Sequence, residues 1–528
     1  MKTKINKITI LIFYIISIVS FAQMEPDHKL FGEQSKRESL MPIRPGGFDN
    51  QHFWNEKAKM FIYAPSFNFN NSSWIVPYPK YYKYTAFSFK DKNEYIFTAS
   101  TPFEPLTKLW SNIPIGEVYL KVEAVSNDEK DCVLAGSRLF HKSASFSPPY
   151  PKAKYSFKVA LEKGLHFIYN QSHIKQWLIT NKPNHDEHKL YCYSALEVGS
   201  VINAMLLYNK HYPENDTSLI IAKIAADYLI QNAETKGNPL EFFPQVYEGN
   251  NLTAGKFGNE IIMTEPAATG KSFLELYERT KEMKYFEAAK RIADTYLKTQ
   301  LTSGTWNIRL EKNSGQPVND ELCIPIKITD FLNLFVKNYK LTQYQKAIDK
   351  AINWIWENPV KTFNWTGQFE DVAAVKPYQN LTKYEASWFA QYLLNNFKDS
   401  LNINFAKELI AFCEDQFVVW ENPNIYDNWG NSSVQWHTPA VLEQYNCYVP
   451  IDASAVQMIN TFFLAYKKTN EIIYYEKAIA LANSLVNTQK EDGMIPTFWV
   501  PGFTEFWNNC MVSSLTMLDM IFIDNETY

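Results

Sequence analysis

From about Tyr155 to the C terminus, apolar residues recur at helical spacing in alternating blocks, one block amphipathic and the next small and apolar on every face. The amphipathic blocks predict outer helices near residues 155–178, 217–233, 285–300, 344–357, 402–419 and 474–488. The others predict inner helices beginning near Tyr193, Thr264, Leu322, Leu381, Asp452 and Asn508. Thr264-Glu-Pro-Ala, Asn380-Leu-Thr-Lys and Asp452-Ala-Ser supply N-capping residue types at three of those starts. Helical hairpins in this order, about six of them, predict an (α/α)6 toroid, which gathers every outer-to-inner loop at one mouth. Those loops carry aromatics and carboxylates, as in Asn238-Pro-Leu-Glu-Phe-Phe-Pro244, Gly304-Thr-Trp-Asn-Ile-Arg309 and Gly493-Met-Ile-Pro-Thr-Phe-Trp499. The chemistry is expected there.

Upstream the period changes from helical to alternating. Lys83–Phe89, Glu94–Ala99, Glu117–Glu123 and Arg138–Phe140 read as antiparallel strands, with turn signals at Pro102, Pro105, Ile113-Pro-Ile-Gly116 and Ser126-Asn-Asp128. They predict a small antiparallel β-sandwich over residues 64–146, followed by a Pro-rich linker at 147–154 and the toroid at 155–528. Residues 1–22 join Lys2, Lys4 and Lys7 to an apolar run ending in Phe21-Ala22, the pattern of a bacterial secretory signal peptide, and 23–63 form an N-terminal extension. An exported, periplasmic or extracellular protein without membrane insertion is expected.

Composition narrows the partners. A net charge of -4 gives no broad cationic field for nucleic acid. The six cysteines, Cys132, Cys192, Cys323, Cys413, Cys447 and Cys510, lie far apart and read as small buried hydrophobes, neither a metal site nor a disulfide framework. His185-Asp-Glu-His188 has metal-ligand residue types but no third ligand and reads as a solvated loop. No metal or cofactor is expected. Serine-hydrolase elbows, phosphate loops and zincin motifs are missing from the sequence. Aromatic content reaches 16%, much of it in the loops, where flat faces suit stacking against sugar rings.

Three loops hold the candidate chemistry. Trp365-Thr-Gly-Gln-Phe-Glu-Asp371 places Glu370 and Asp371 together after a glycine, as proton-transfer candidates, with Trp365 as a substrate face; the same carboxylates also suit helix capping. The segment Asn428–Asp452 holds Trp436, His437, Glu443, Tyr445, Tyr448 and Asp452 in one excursion, with Asp452 equally suited to capping the next helix. Trp306 offers a stacking face, and Arg309 a fork for a carboxylate or sulfate unless it pairs with Asp320 or Glu321.

Leu134-Ala-Gly-Ser-Arg-Leu-Phe140, Gly367-Gln-Phe-Glu-Asp-Val372 and Tyr448-Val-Pro-Ile-Asp-Ala-Ser454, with the sandwich-plus-toroid order, resemble bacterial uronate-active polysaccharide-degrading enzymes. The nearest are glycoside hydrolase family 154, a β-glucuronidase family, and the ulvan-oligosaccharide dehydratases. The resemblance implies an acidic oligosaccharide substrate and leaves two chemistries open. Elimination of water at a terminal glucuronyl residue needs a cation on the carboxylate and a base for the C5 proton, roles for Arg309 and for His437, Tyr445 or Tyr448. Hydrolysis by an exo-β-glucuronidase needs two carboxyl groups astride the bond, drawn from Glu370, Asp371, Glu443 and Asp452. Elimination is the expectation, because His, Tyr, Asn and Gln outnumber carboxylates in the longest loop. A non-catalytic carbohydrate-binding protein is the third reading, and would require an aromatic platform without a proton-transfer pair.

Overall fold

The structure, a computed structural model, describes residues 42–43, 60–67, 79–249, 254–361, 365, 382–421, 436–444, 447–500 and 502–526. The expected signal peptide and most of the N-terminal extension lie outside these residues. The chain divides into two compact units, Met1–Ser143 and Ala144–Tyr528.

In the first unit, strands β1 (Pro42–Ile43), β2 (Met60–Phe61), β3 (Ser66–Phe67), β4 (Tyr81–Ser88), β5 (Glu94–Ala99), β6 (Gly116–Val125) and β7 (Cys132–Lys142) form two ladders. The larger is a five-stranded sheet of order β2-β7-β6-β4-β5, antiparallel except for β2 against β7. Strand β6 alternates, burying Val118, Leu120, Val122 and Ala124 on one face. Phe140 of β7, opposite Val118, and Phe61 of β2 form a buried ring cluster with Phe67 of β3, centroids 5.6–5.7 Å apart, and Leu106 and Leu109 are buried as well. The four expected strands are β4 to β7. The second sheet of a sandwich is not seen among the described residues, where β1 and β3 make only a two-residue ladder.

The second unit is a ring of helices. Among the described residues, its twelve helices of eleven or more residues are α1 (Phe157–Tyr169), α2 (Ser194–His211), α3 (Asp216–Gln231), α4 (Glu265–Thr280), α5 (Met283–Thr299), α6 (Ile326–Tyr339), α7 (Gln345–Ile355), α8 (Tyr384–Asn396), α9 (Ser400–Phe417), α10 (Asp452–Thr469), α11 (Ile472–Thr488) and α12 (Asn508–Glu526). Even-numbered helices touch in cyclic order, α2 to α4, α6, α8, α10, α12 and back to α2. Each odd-numbered helix backs an inner one, and α1 closes the outer layer against α12 and α2. This is the (α/α)6 toroid. Among the described residues, no helix is long and apolar enough to cross a membrane.

Sequence decides which layer a helix joins. Outer α7 buries Ala347, Ile348, Ala351, Ile352 and Ile355, a single stripe, whereas inner α2 buries residues on nearly every turn and face. Inner helices end in short turns, with Lys281, Lys340 and Asn470 in the left-handed conformation directly after α4, α6 and α10. Outer helices end in long loops, and two of these use one device. Gln300 Nε2 donates to the carbonyls of Gly304 and Ala347, and Gln489 Nε2 to those of Gly493 and Ala160, so each loop is clamped to the next outer helix. Gly304 and Gly493 share φ +102°, and a Cβ on either would overlap the carbonyl of Lys350 or Lys163.

Candidate active site

Because every inner helix starts after an outer-to-inner loop, the first turns of all six converge on one mouth of a central cavity of about 1260 Å³. Leu196 of α2, Glu265 of α4, Lys327 of α6, Glu385 of α8, Ala453 of α10 and Cys510 of α12 all line it. The N-terminal ends of six helix dipoles give that mouth a positive polarity.

Three charged side chains in adjacent sectors form its chemical centre. Pro266 at the start of α4 fixes the turn that directs Glu265 inward. Glu265 Oε1 lies 3.4 Å from Lys327 Nζ, while Oε2 is buried with no hydrogen-bond partner among the described residues. Lys327 Nζ also sits 5.0 Å from the Trp388 ring centroid, beside an aromatic face on the cavity wall. Glu385 Oε2 accepts from Thr382 Oγ1 at 2.8 Å, and burial pushes its carboxyl above the usual carboxylate range. One carboxyl group beside an ammonium and a second raised by burial are residue types suited to an acid/base pair.

The α8–α10 seam supports this centre from behind. Lys383 is fully buried, with its ammonium donating to the Glu443 carbonyl at 2.8 Å and to Ser454 Oγ, 3.8 Å from the Tyr384 ring centroid. Tyr384 lines the cavity with its hydroxyl 3.3 Å from Ser454 Oγ, and burial raises its phenol well above the ordinary value.

Across the ring, the α2–α12 sector holds a sealed cluster. His188 Nε2 is 2.8 Å from Glu197 Oε2, which also accepts the Asn508 backbone N–H at 3.2 Å. His173 lies 3.2 Å from Asn508 Oδ1 and stacks on His188, centroids 4.4 Å apart; burial, then the neighbouring His188, push its imidazole down to about 3. Neither histidine nor Glu197 lines the cavity. His188 is therefore not in a solvated loop, because Glu197 offers it a buried partner that loop composition does not reveal.

The residues expected from sequence are scattered. Glu443 lines the cavity. Asp452 lies directly behind the wall, fully buried, accepting from Ala453 N–H at 2.7 Å and Ser514 Oγ at 3.2 Å with its carboxyl pushed up by burial, so it ties α10 to α12. Trp306 is a core residue whose Nε1 donates to the Tyr296 carbonyl, and it offers no stacking face. Arg309 is buried with Nη1 2.9 Å from Tyr247 Oη and 3.4 Å from Glu260, its guanidinium 4.5 Å from the Phe257 ring centroid. The pairing with Glu260 is made by the ladder of Glu260–Ile262 with Arg309–Glu311. Trp365 and Trp436 are buried outside the cavity lining. His437 is exposed, away from the lining, and its imidazole is lowered by partial burial and by Lys154 and Lys490. Glu370, Asp371, Tyr445 and the Tyr448 side chain lie outside the described residues. Cys192, Cys323, Cys413 and Cys510 are buried and Cys132 is exposed.

Glu265, Lys327 and Glu385 are not among the candidates that loop composition supplies. Their signal is present in Thr264-Glu-Pro-Ala and in Thr382-Lys-Tyr-Glu385, where a carboxylate falls in the first turn of an inner helix and so faces the mouth.

No protein-family model matches the chain, and no curated protein matches it. Among solved structures, the chain is similar to a family 76 glycoside hydrolase from a bovine Bacteroides thetaiotaomicron strain, at 12% identity over 92% of this chain and 100% of that one, TM-score 0.47. It is similar to a D-mannose isomerase at 10% identity, over 71% and 100%, TM-score 0.49. It is also similar to an unsaturated glucuronyl hydrolase from Streptococcus agalactiae at 11% identity, over 70% and 92%, TM-score 0.43. None of these likenesses is strong enough to carry an activity over to this chain.

Proposed function

We propose that the chain is an exported glycoside hydrolase that removes a terminal uronate from acidic oligosaccharides. The observation that carries this reading is the pair of inward carboxyl groups, Glu265 and Glu385, flanking the Lys327 ammonium at the mouth of the cavity. Glu385, its carboxyl raised by burial, takes the role of proton donor to the glycosidic oxygen as the bond breaks. Glu265, as a carboxylate, stabilises or attacks the oxocarbenium-like carbon, or activates water against it. The sugar ring stacks on Trp388, and its carboxylate meets Lys327 and the helix N-termini. Export is part of the proposal and rests on Lys2, Lys4, Lys7 and the apolar run after them.

Elimination keeps less support, because its expected cation, Arg309, is held by Glu260 and Tyr247, and its expected base, His437, is not on the cavity. The two reactions separate in one assay on glucuronate-ended oligosaccharides. Hydrolysis releases a saturated uronic acid with no new ultraviolet absorbance; elimination produces the conjugated unsaturated uronate and an absorbance rise. A rise with the wild-type chain refutes the hydrolytic reading. Activity retained in both Glu265→Gln and Glu385→Gln refutes the assignment of residues.

A further inference from the structure

The cavity does not end below the mouth. Its lining runs along α2 from Leu196 to Lys210, α4 from Glu265 to Arg279 and α12 from Trp507 to Asp519, nearly the whole length of the inner helices. At ~1.5 Å per residue this is a lumen about 21 Å long, and the volume of about 1260 Å³ then corresponds to a mean bore of about 9 Å, wide enough for one sugar ring.

The lining carries charged and hydroxyl side chains along its middle, among apolar ones such as Leu274 and Leu334. Lys271 and Glu275 of α4, Asp330 of α6, and Ser513 and Thr516 of α12 lie there, between the first and last turns. Glu275, Ser513 and Thr516 are as exposed as surface residues although they sit on the inner layer. Lys271 stands near both carboxyls, Glu275 and Asp330, and acts on each as a neighbouring positive charge. An axis packed shut would have to bury these charges at several kcal/mol each. A solvent-filled bore avoids that cost. At the far end stand Lys210, Arg279 and Lys337, with Glu278 and Asp519 among them, all on the lining and two of them, Lys210 and Glu278, with side chains more than half exposed.

We propose that this axial lumen is the exit for the saccharide released at the mouth, so that product leaves past Lys271 and the far cationic rim while the remaining oligosaccharide stays on the mouth side. The inference rests on the hydrolytic reading above. It gives the cavity a direction: substrate enters at the helix N-termini and product departs at the C-termini.

The test uses the full chain with Ser513→Trp and Thr516→Trp, made separately, since each places a large ring in the bore without touching Glu265, Lys327 or Glu385. With a glucuronate-ended tetrasaccharide, the first turnover measured by rapid quench should match wild type, while steady-state turnover falls about tenfold. With 4-nitrophenyl β-glucuronide, which leaves no polymer across the mouth, the fall should be smaller. Steady-state turnover within twofold of wild type in both plugged variants overturns the exit, as does a first turnover slowed equally. A second measurement guards against misfolding: the thiol of Thr516→Cys should react with a glucose-conjugated maleimide at a rate within tenfold of exposed Cys132, read by peptide mass. Resistance at that position while Cys132 reacts also overturns the exit. No turnover by wild type on either substrate would instead remove the hydrolytic reading, and the exit with it.

Discussion

Two sectors of the same mouth use similar residues to opposite ends. On the α4–α6–α8 side, Glu265, Lys327 and Glu385 face the cavity, and one oxygen of Glu265 has no partner among the described residues. On the α2–α12 side, Glu197, His173, His188 and Asn508 point at one another beneath the wall. In both places an acidic residue occupies the first turn of an inner helix. The difference lies in where each carboxylate stands: Glu197 is held beneath the wall by the His188 imidazole and the Asn508 N–H through Oε2, whereas Glu265 stands on the cavity lining beside one lysine. Each keeps one oxygen without a partner among the described residues, and only that of Glu265 belongs to a residue on the cavity, where a ligand can reach it.

The sharpest way to break this comparison is to neutralise one carboxyl in each sector. Glu385→Gln removes the proton donor and should lower turnover by about 10²–10⁴-fold with the fold retained. Glu197→Gln should do the reverse, keeping turnover within a few-fold of wild type while lowering unfolding free energy by about 1–3 kcal/mol, because an amide replaces the acceptor shared by His188 and the Asn508 N–H. Steady-state kinetics and denaturant unfolding on the same preparations decide it. If Glu197→Gln abolishes turnover at unchanged stability, the sealed cluster is catalytic and the contrast is wrong.

The two sectors should also carry opposite pH signatures. Glu385 has a folded pKa raised by burial, so its contribution is fully present below the unfolded value of about 4.3 and is lost as pH rises through the folded one. Its duty as a proton donor fails in the same direction. His173 has a folded pKa lowered to about 3, so its contribution is present above the unfolded value of about 6.5 and declines as pH falls towards 3, by up to about 1.4 kcal/mol per unit. Chemical unfolding from pH 7 to 4 should therefore be flatter for His173→Asn than for wild type. Equal slopes would mean that the imidazole titrates alike in the folded and unfolded chain, so that burial does not lower it.

What is legible in the sequence depends on the range of the interactions involved. The inner helices start at Ser194, Glu265, Ile326, Tyr384, Asp452 and Asn508, close to the starts expected from the apolar blocks, since helix layers are set by local periodicity. Side-chain roles are set by distant partners. Arg309 reads as a ligand fork until Glu260, 49 residues earlier, is brought beside it by a three-residue ladder. Trp306 reads as a loop aromatic until the Tyr296 carbonyl takes its N–H. Glu265 and Glu385 lie in segments whose residue types read as caps, and their role depends on the direction in which a first-turn residue faces once the ring has closed. The β-sandwich expectation has the same weakness, because alternation in strands such as β6 identifies one buried face but not what packs on it.

The smallest expected effect concerns Lys327, which belongs to the open sector yet does not move a proton. Its ammonium is shared between Glu265 at 3.4 Å and the face of Trp388 at 5.0 Å, a position from which it meets a sugar carboxylate stacked on that ring. A charge-assisted contact of this kind contributes about 1.5–3 kcal/mol, so Lys327→Met should reduce discrimination between a glucuronide and the matching neutral glucoside by about 10–100-fold in kcat/KM. The loss should fall mainly on the glucuronide, because the neutral sugar makes no ion pair. Were both substrates to lose activity equally, Lys327 would serve only to hold Glu265 ionised, and uronate recognition would have to come from the helix N-termini around the mouth.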